Sequence, residues 1–375
     1  INTFLSIHEQ FPKSTLGKQG LARAGHISFS LKDYNRSITI YESIISSESI
    51  YDTLTYGQYA ISLFRTENIG AALKATKTFK QRFDSSWQTR FELEAANYYK
   101  RNNQYDRALK TYKKVEQAKS PLASEAAYEA VMLVWNRNKM DPSEDGTEKA
   151  IKSLNRFVKK YPNSRQIPAI FLHIANYQYS LRRYLQAAGA YKQVLSHPDA
   201  SSALVQEAIW LLLKSYLAAH EYESAHQVAD KILEEFPDHP NLLDVRLELG
   251  IILKEKGLYR DAIQHFDSQL NQHVLSANDA SEARFYIGQS YQNLGEYRKA
   301  IEAYYKVSYH GANGSSQWIT SADFQRAKCH ESLSEYTTAI VIYDRIIQRE
   351  GGNSPQGEMA NEQVQKLRVV LEKLK

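Results

Sequence analysis

An aromatic residue, a small residue three positions later and an apolar residue four beyond that recur along the chain at a near-constant interval. Tyr297, Ala300 and Tyr304 set the register. Upstream it is kept by Tyr34, Ser37 and Tyr41, by Tyr105, Ala108 and Tyr112, by Tyr184, Ala187 and Tyr191, by Tyr222, Ala225 and Ala229, and by Tyr259, Ala262 and Phe266. Tyr336, Ala339 and Tyr343 continue it downstream, and weaker copies stand at Ile69, Ala72 and Thr76 and at Thr147, Ala150 and Leu154. Spacings of three and four put these side chains on one face of an α-helix. Self-similarity at a fixed period constrains the fold more than any composition does, because each unit must bury its apolar face against like neighbours.

The stretch Phe285–Val307 shows what one unit contains. Ile287, Tyr291 and Leu294 mark the apolar stripe of one helix, and Ile301, Tyr304 and Val307 that of a second. Gly295 falls where the first helix must stop, since glycine accepts a left-handed cap without a Cβ penalty. Nine residues before the aromatic a small side chain recurs, as Gly25, Ala60, Ala96, Ala175, Gly250, Gly288 and Ala327, which lets paired helices approach closely. Several units end in Phe11-Pro12, Tyr161-Pro162 or Phe236-Pro237, where proline ends one helix and opens the next unit.

This pattern resembles the tetratricopeptide repeat, over nearly the whole chain. Successive anchors Tyr184, Tyr222, Tyr259, Tyr297 and Tyr336 are 37 to 39 residues apart, longer than the ~34 of that family, and the excess is expected in loops. The resemblance implies an all-α fold: a right-handed superhelical α-solenoid of about nine helix pairs with a C-terminal capping helix. Its expected divisions are a half repeat over 1–12, N-terminal units over 13–135, an inserted loop over 136–147, C-terminal units over 148–350 and a capping helix over 354–375. The loop is read from Pro142, Gly146 and their charged neighbours, and a second loop from the Gly- and Ser-rich 309–317. The unit openings around Phe11-Pro12, Tyr161-Pro162 and Phe236-Pro237 further resemble bacterial cell-envelope members, the outer-membrane assembly lipoproteins and the Tol-associated division coordinators.

Cys329 is the one cysteine, which excludes an intramolecular disulfide framework and a cysteine-rich metal site. It reads as an inert small core residue. There is no apolar run of the ~18 residues that a spanning helix needs. The chain starts at Ile1 rather than Met, and the expectation is of a trimmed N-terminus whose signal or anchor is missing. The net charge of +5 conceals a split: residues 1–200 hold 29 Lys/Arg against 18 Asp/Glu, and residues 201–375 hold 18 against 24. Lys152–Lys192 carries eight basic residues and no acid. Such asymmetry suits differently charged partners or a solvated face.

No phosphate-binding glycine loop, H-E-x-x-H, C-x-x-C or G-x-S-x-G is present, so no catalytic residue, metal ligand or cofactor is assigned. His220 and His226, six apart, do not share a helical face. His330 reads as a packed core histidine, and His239 and His310 as loop residues. Twelve of the 26 tyrosines fall on anchor positions, which core packing explains, and the acidic second half argues against nucleic acid.

Function is therefore expected on a surface. The family resemblance implies that the first helix of each pair lines a concave groove for an extended peptide or partner helix. Counted from the small Gly/Ala position, the groove candidates are Ile61, Phe64 and Arg65, then Asn97, Lys100 and Arg101, then Met132 and Trp135, then Asn176, Tyr179 and Lys214. Asparagine can hold a peptide backbone through one donor and one acceptor, and Arg65, Lys100 and Arg101 can take carboxylates. Chaperone-tail-binding members of the family place a lysine four residues before such an asparagine. Leu93 and Leu172 stand there, so that activity is not expected. The expectation is a non-catalytic scaffold for protein or peptide partners, periplasmic and associated with the outer membrane through the missing N-terminal part. The alternatives are a glycan-binding accessory of an exopolysaccharide export system, motivated by Lys152–Lys192 and the tyrosines, and an enzyme with a hidden site.

Overall fold

The computed structural model describes residues 1–47, 52–138, 144–272, 275–310 and 316–374. These form twenty α-helices and no strand. A single helix α1 (Asn2–Gln10) is followed by nine pairs and a last helix. The first four pairs are α2 (Thr15–Ser30) with α3 (Tyr34–Ser47), α4 (Thr53–Arg65) with α5 (Ile69–Arg82), α6 (Gln88–Arg101) with α7 (Tyr105–Gln117), and α8 (Ala123–Asn138) with α9 (Glu144–Lys160). The fifth is α10 (Ile167–Ser180) with α11 (Tyr184–Leu195) and the sixth α12 (Ser202–Ala218) with α13 (Tyr222–Glu235). Then come α14 (Leu242–Glu255) with α15 (Tyr259–Asn271), α16 (Ala277–Asn293) with α17 (Tyr297–His310), α18 (Ser316–Ser332) with α19 (Tyr336–Glu350), and the closing α20 (Pro355–Lys373). The chain divides into two compact units, Ile1–Ile170 and Phe171–Lys375. Within each, consecutive helices pack in chain order, the arrangement of an α-solenoid.

Every full copy of the anchor aromatic is the first residue of the second helix in its pair. The small residue three positions on is buried in all of them, and so is the residue four beyond it. The buried ring lies over the small position sixteen residues earlier. A Cβ added at Gly25, Gly250 or Gly288 would come within 2.4–2.5 Å of the rings of Tyr41, Phe266 and Tyr304. The tyrosine hydroxyls reach polar side chains: Tyr304 donates to Gln292 Oε1 at 2.7 Å and Tyr343 to Glu331 Oε1 at 2.6 Å on the first helix of their own pair, and Tyr41 to Gln58 Oε1 at 2.5 Å on the first helix of the next. Apolar ring and satisfied hydroxyl together explain why tyrosine recurs here. In the second pair Thr76 brings no ring, and the buried Phe79, packed on Phe83 and Phe91, supplies one.

The turn inside a pair has one geometry in the eight pairs whose turns are described. Its middle residue, two before the anchor, has positive φ: Lys32, Glu67, Asn103, Arg182, His220, Gly257, Gly295 and Ser334. Each is followed by a residue whose N–H donates to a carbonyl five back, as in Asp33 to Ser28 at 2.9 Å, Gln104 to Tyr99 at 2.8 Å and Glu296 to Tyr291 at 2.9 Å. That bond marks the Schellman motif, which satisfies carbonyls left over at the helix end.

Two expected loops are narrower than the composition suggested. Residues 136–138 end α8 and residues 144–147 begin α9, while 139–143 lie outside the described residues. Likewise α17 runs to His310 and α18 starts at Ser316, so His310 is helical and only 311–315 lie outside. The boundary between the compact units falls within α10. Pairing partner and cap decide where a helix ends, and local composition only biases it.

Cys329 is buried among Phe285, Tyr304 and Val307, and burial pushes its thiol up to about 11, which makes it unreactive. His239 is buried in its turn, with Nε2 against the Gln206 carbonyl at 3.0 Å and Nδ1 accepting from the Asn241 N–H at 3.0 Å. His330 pairs with Glu335 at 2.6 Å. His265 lies with Nε2 2.7 Å from the Arg246 carbonyl, and burial holds its imidazole below the ordinary 6.5. The unfolded chain therefore binds a proton that the folded chain refuses, so this group costs stability as pH falls through 6.5. The loss of stability between about pH 7.5 and pH 5 is expected to be smaller in His265→Gln than in the wild type, measured by urea unfolding. An equal loss in both would remove His265 from the acid response.

Candidate partner-binding surface

The first helices of successive pairs are neighbours: α2 touches α4, α4 touches α6, and α14 touches α16 and α16 touches α18. Residues on their shared face therefore meet partners one repeat away. Arg65 of α4 pairs with Glu94 of α6 at 2.5 Å, and Lys100 of α6 with Glu129 of α8 at 2.5 Å. In the second unit Lys214 of α12 pairs with Glu248 of α14 at 2.6 Å, and Lys254 of α14 donates to Gln289 Oε1 of α16 at 3.0 Å. Each is a rung of one side chain per repeat, running along the stack within its own unit.

Of the residues expected to face a partner, Arg65, Lys100 and Lys214 thus stand on this face, each already holding a carboxylate. Their side chains remain 36–38 % exposed. Arg101 reaches backward instead, with Nε on Glu67 at 3.0 Å and Nη2 donating to the Phe64 carbonyl at 2.9 Å. Asn97 and Asn176 use their side-chain oxygens to accept from the buried anchors Tyr112 at 2.6 Å and Tyr191 at 2.5 Å, so of their amide pairs the donor is what remains for a partner. Tyr179 is partly buried, edge-on to Tyr184 at 5.2 Å, and Trp135 is partly buried on α8. Phe64 is a correction: it is 1 % exposed and belongs to the core with Tyr56, Ala60 and Phe79, as does Ile61. The offset that placed them outward ignored that a ring of this size stabilises far more when buried.

The acids were missed. Glu94, Glu129 and Glu248 were not read as part of the surface, although two of them lie 29 residues after their bases, at Arg65 and Lys100. That interval was visible in the sequence. Glu125, at the start of α8, adds to them. Burial raises its carboxyl above the ordinary range, and the charges of Glu129 and Glu94 add to the rise against Arg65 and Arg90. The face from α4 to α8 is consequently a strip of alternating charge. Among the described residues no group of three or more His, Cys, Asp or Glu could hold a metal, and no helix is long and apolar enough to cross a membrane.

Models of the tetratricopeptide repeat match residues 93–142 and, separately, 144–164 and 282–309. These segments cover α6 to α9 and α16 to α17, and so include both helices of three of the nine pairs. No curated protein sequence matches the chain. Among solved structures it is similar to a tetratricopeptide repeat protein from Parabacteroides merdae, at 16 % identity over 75 % of this chain and 98 % of the other, with a TM-score of 0.39. It is also similar to the C-terminal part of a repeat protein from Cytophaga hutchinsonii, at 13 % identity over 80 % and 98 %, with a TM-score of 0.45. The apo form of RapI is similar at 14 % identity over 95 % and 98 %, with a TM-score of 0.47.

Proposed function

We propose that the chain is a non-catalytic interaction scaffold that holds protein or peptide partners on the face formed, within each unit, by the first helices of its pairs. The observation that supports this most is the row of inter-repeat ion pairs there. Each cation is held in place by a carboxylate from the next repeat yet stays about one-third exposed. Arginine and lysine each carry more donors than one carboxylate uses, so a partner carboxylate can share the cation while the internal one stays in place. The alternating strip selects partners of complementary charge pattern more than it supplies raw affinity. We place the scaffold in a bacterial envelope assembly, division or export complex, on the strength of the Phe-Pro and Tyr-Pro unit endings.

The test is crosslinking capture from fractionated host cells with the wild-type chain and with Arg65→Glu/Lys100→Glu. Recovery of a common set of partners by the wild type, reduced at least about tenfold by the double variant, is the expected outcome. Equal capture by both would sink the assignment of this face, and partners drawn only from the cytoplasm would overturn the compartment.

A further inference from the structure

A cleft of about 420 Å³ opens on the other side of the third and fourth pairs, between the second helices α7 and α9, with α8 as its floor. Val131 and Val134 of α8 and Phe157 of α9 make that floor apolar. The rim is basic on both walls: Lys113 on α7, Arg156 and Lys160 on α9. Lys160 is engaged with Glu116 of α7, whose Oε1 also accepts from the Tyr161 hydroxyl at 3.0 Å. Lys113 and Arg156 are exposed, and among the described residues their side chains make no ion pair or hydrogen bond.

The repeat supplies its own comparison. A cleft of about 480 Å³ lies at the matching place in the seventh and eighth pairs, between α15 and α17 over α16. The residue eight after the anchor of the first wall is Lys113 in one cleft and Asp267 in the other, and the residue nine after the anchor of the second wall is Arg156 in one and Lys306 in the other. Asp267 and Lys306 balance, and the Lys306 charge lowers the Asp267 carboxyl against the rise that burial causes. Arg284 and Tyr291 also make that floor partly polar. Of these two clefts the one between α7 and α9 sets like charges across an apolar floor, and its second wall lies at the start of the acid-free stretch Lys152–Lys192.

We infer that the α7–α9 cleft docks an acidic amphipathic helix of a partner protein, its apolar stripe on α8 and its acids against Lys113 and Arg156. The volume is that of a ligand-sized pocket. An amphipathic helix presents apolar side chains at three- and four-residue spacing with charges on both flanks, which matches a floor between two basic walls. A single-headed amphiphile such as a fatty acid carries one carboxylate and would leave one wall unmatched. This surface is separate from the first-helix face, and its assignment does not rest on that reading.

The test is a display selection of helix-forming peptides of about 16 residues on the full chain, with counter-selection on Lys113→Glu/Arg156→Glu. Enriched sequences should carry apolar residues at helical spacing flanked by Asp or Glu. A fluorescein-labelled representative should bind the charge-reversed variant at least about tenfold more weakly and should weaken with salt on the wild type. Because both substituted residues are exposed, the variant should keep the wild-type circular dichroism and melting curve. Absence of enrichment, enrichment of peptides without acids, equal binding to the variant, or displacement of the labelled peptide by decanoate at micromolar concentration would each overturn the proposal.

Discussion

Replacing Asp323 by alanine is expected to destabilise the C-terminal helices by about 3–5 kcal/mol, because it strips a buried arginine of its counter-charge. Asp323 of α18 is 5 % exposed, and its two oxygens are shared by three donors. Oδ1 pairs with Arg326 Nη2 at 3.0 Å and accepts from Ser308 Oγ at 2.9 Å, while Oδ2 takes Arg349 Nη1 of α19 at 2.9 Å. Arg326 is 8 % exposed, beneath Tyr305. Burial depresses its guanidinium below the usual range, and Arg345 and Arg349 press the same way against the support of Asp323. With the carboxylate gone, two arginines would face each other in a poorly solvated site. The remedy lies in the repeat itself. One residue before the small position, where Arg326 stands, other pairs carry the buried Ile174, Leu212, Leu249 and Ile287. Asp323→Leu/Arg326→Leu should therefore recover most of the loss, since a buried ion pair replaced by apolar groups is often neutral or better. Urea unfolding gives the energies, and amide exchange should place the opening in α17 to α20, because a solenoid couples only near neighbours. A loss below about 1 kcal/mol in Asp323→Ala would mean that water compensates Arg326 and that the network is not structural.

Most of the fold was written in the spacing. An eight-residue motif repeated through the chain gives helix pairs, their number, the first residue of every second helix that carries a full copy and the burial of its small position, because packing between like units demands the same side chain at the same place. What spacing could not give is conformation that another residue type can adopt. Six of the eight left-handed turn positions hold Lys32, Glu67, Asn103, Arg182, His220 and Ser334, not glycine, and the terminal hydrogen bonds offset the ~1 kcal/mol that a Cβ costs there. Nor could composition locate the end of α8, where charges that read as a loop continue a helix. At the candidate surface the bases were found and their acids were not. A helix face read from one repeat shows Arg65 as a free cation, whereas Glu94 reaches it from the next. Contacts between repeats are periodic in sequence, but only once the stacking partner is known.

The tyrosine that fills each pair sets the second large effect. Tyr304→Ala should cost about 3–5 kcal/mol, through lost burial and the cavity left behind. The side chain is fully buried, 5.7 Å from the Phe285 ring and in one cluster with Val307 and Cys329. Tyr304→Phe removes only the hydroxyl that donates to Gln292 and should cost about 1 kcal/mol. Gly288 decides whether the ring is the reason for the small position. A Cβ there would lie 2.5 Å from Tyr304 Cε1, and the ring must shift to admit it. Overpacking of about 1–3 kcal/mol then outweighs the ~1 kcal/mol that alanine gains over glycine in a helix, so Gly288→Ala should destabilise the wild type. In the Tyr304→Ala background the ring is absent and only the helical gain remains, so the same substitution should stabilise by up to about 1 kcal/mol. Urea unfolding of the four proteins of this cycle measures the sign. A Gly288→Ala change that stays destabilising beside Ala at 304 would show that something other than the ring requires the glycine, and the pairing of small position with aromatic would lose its physical basis.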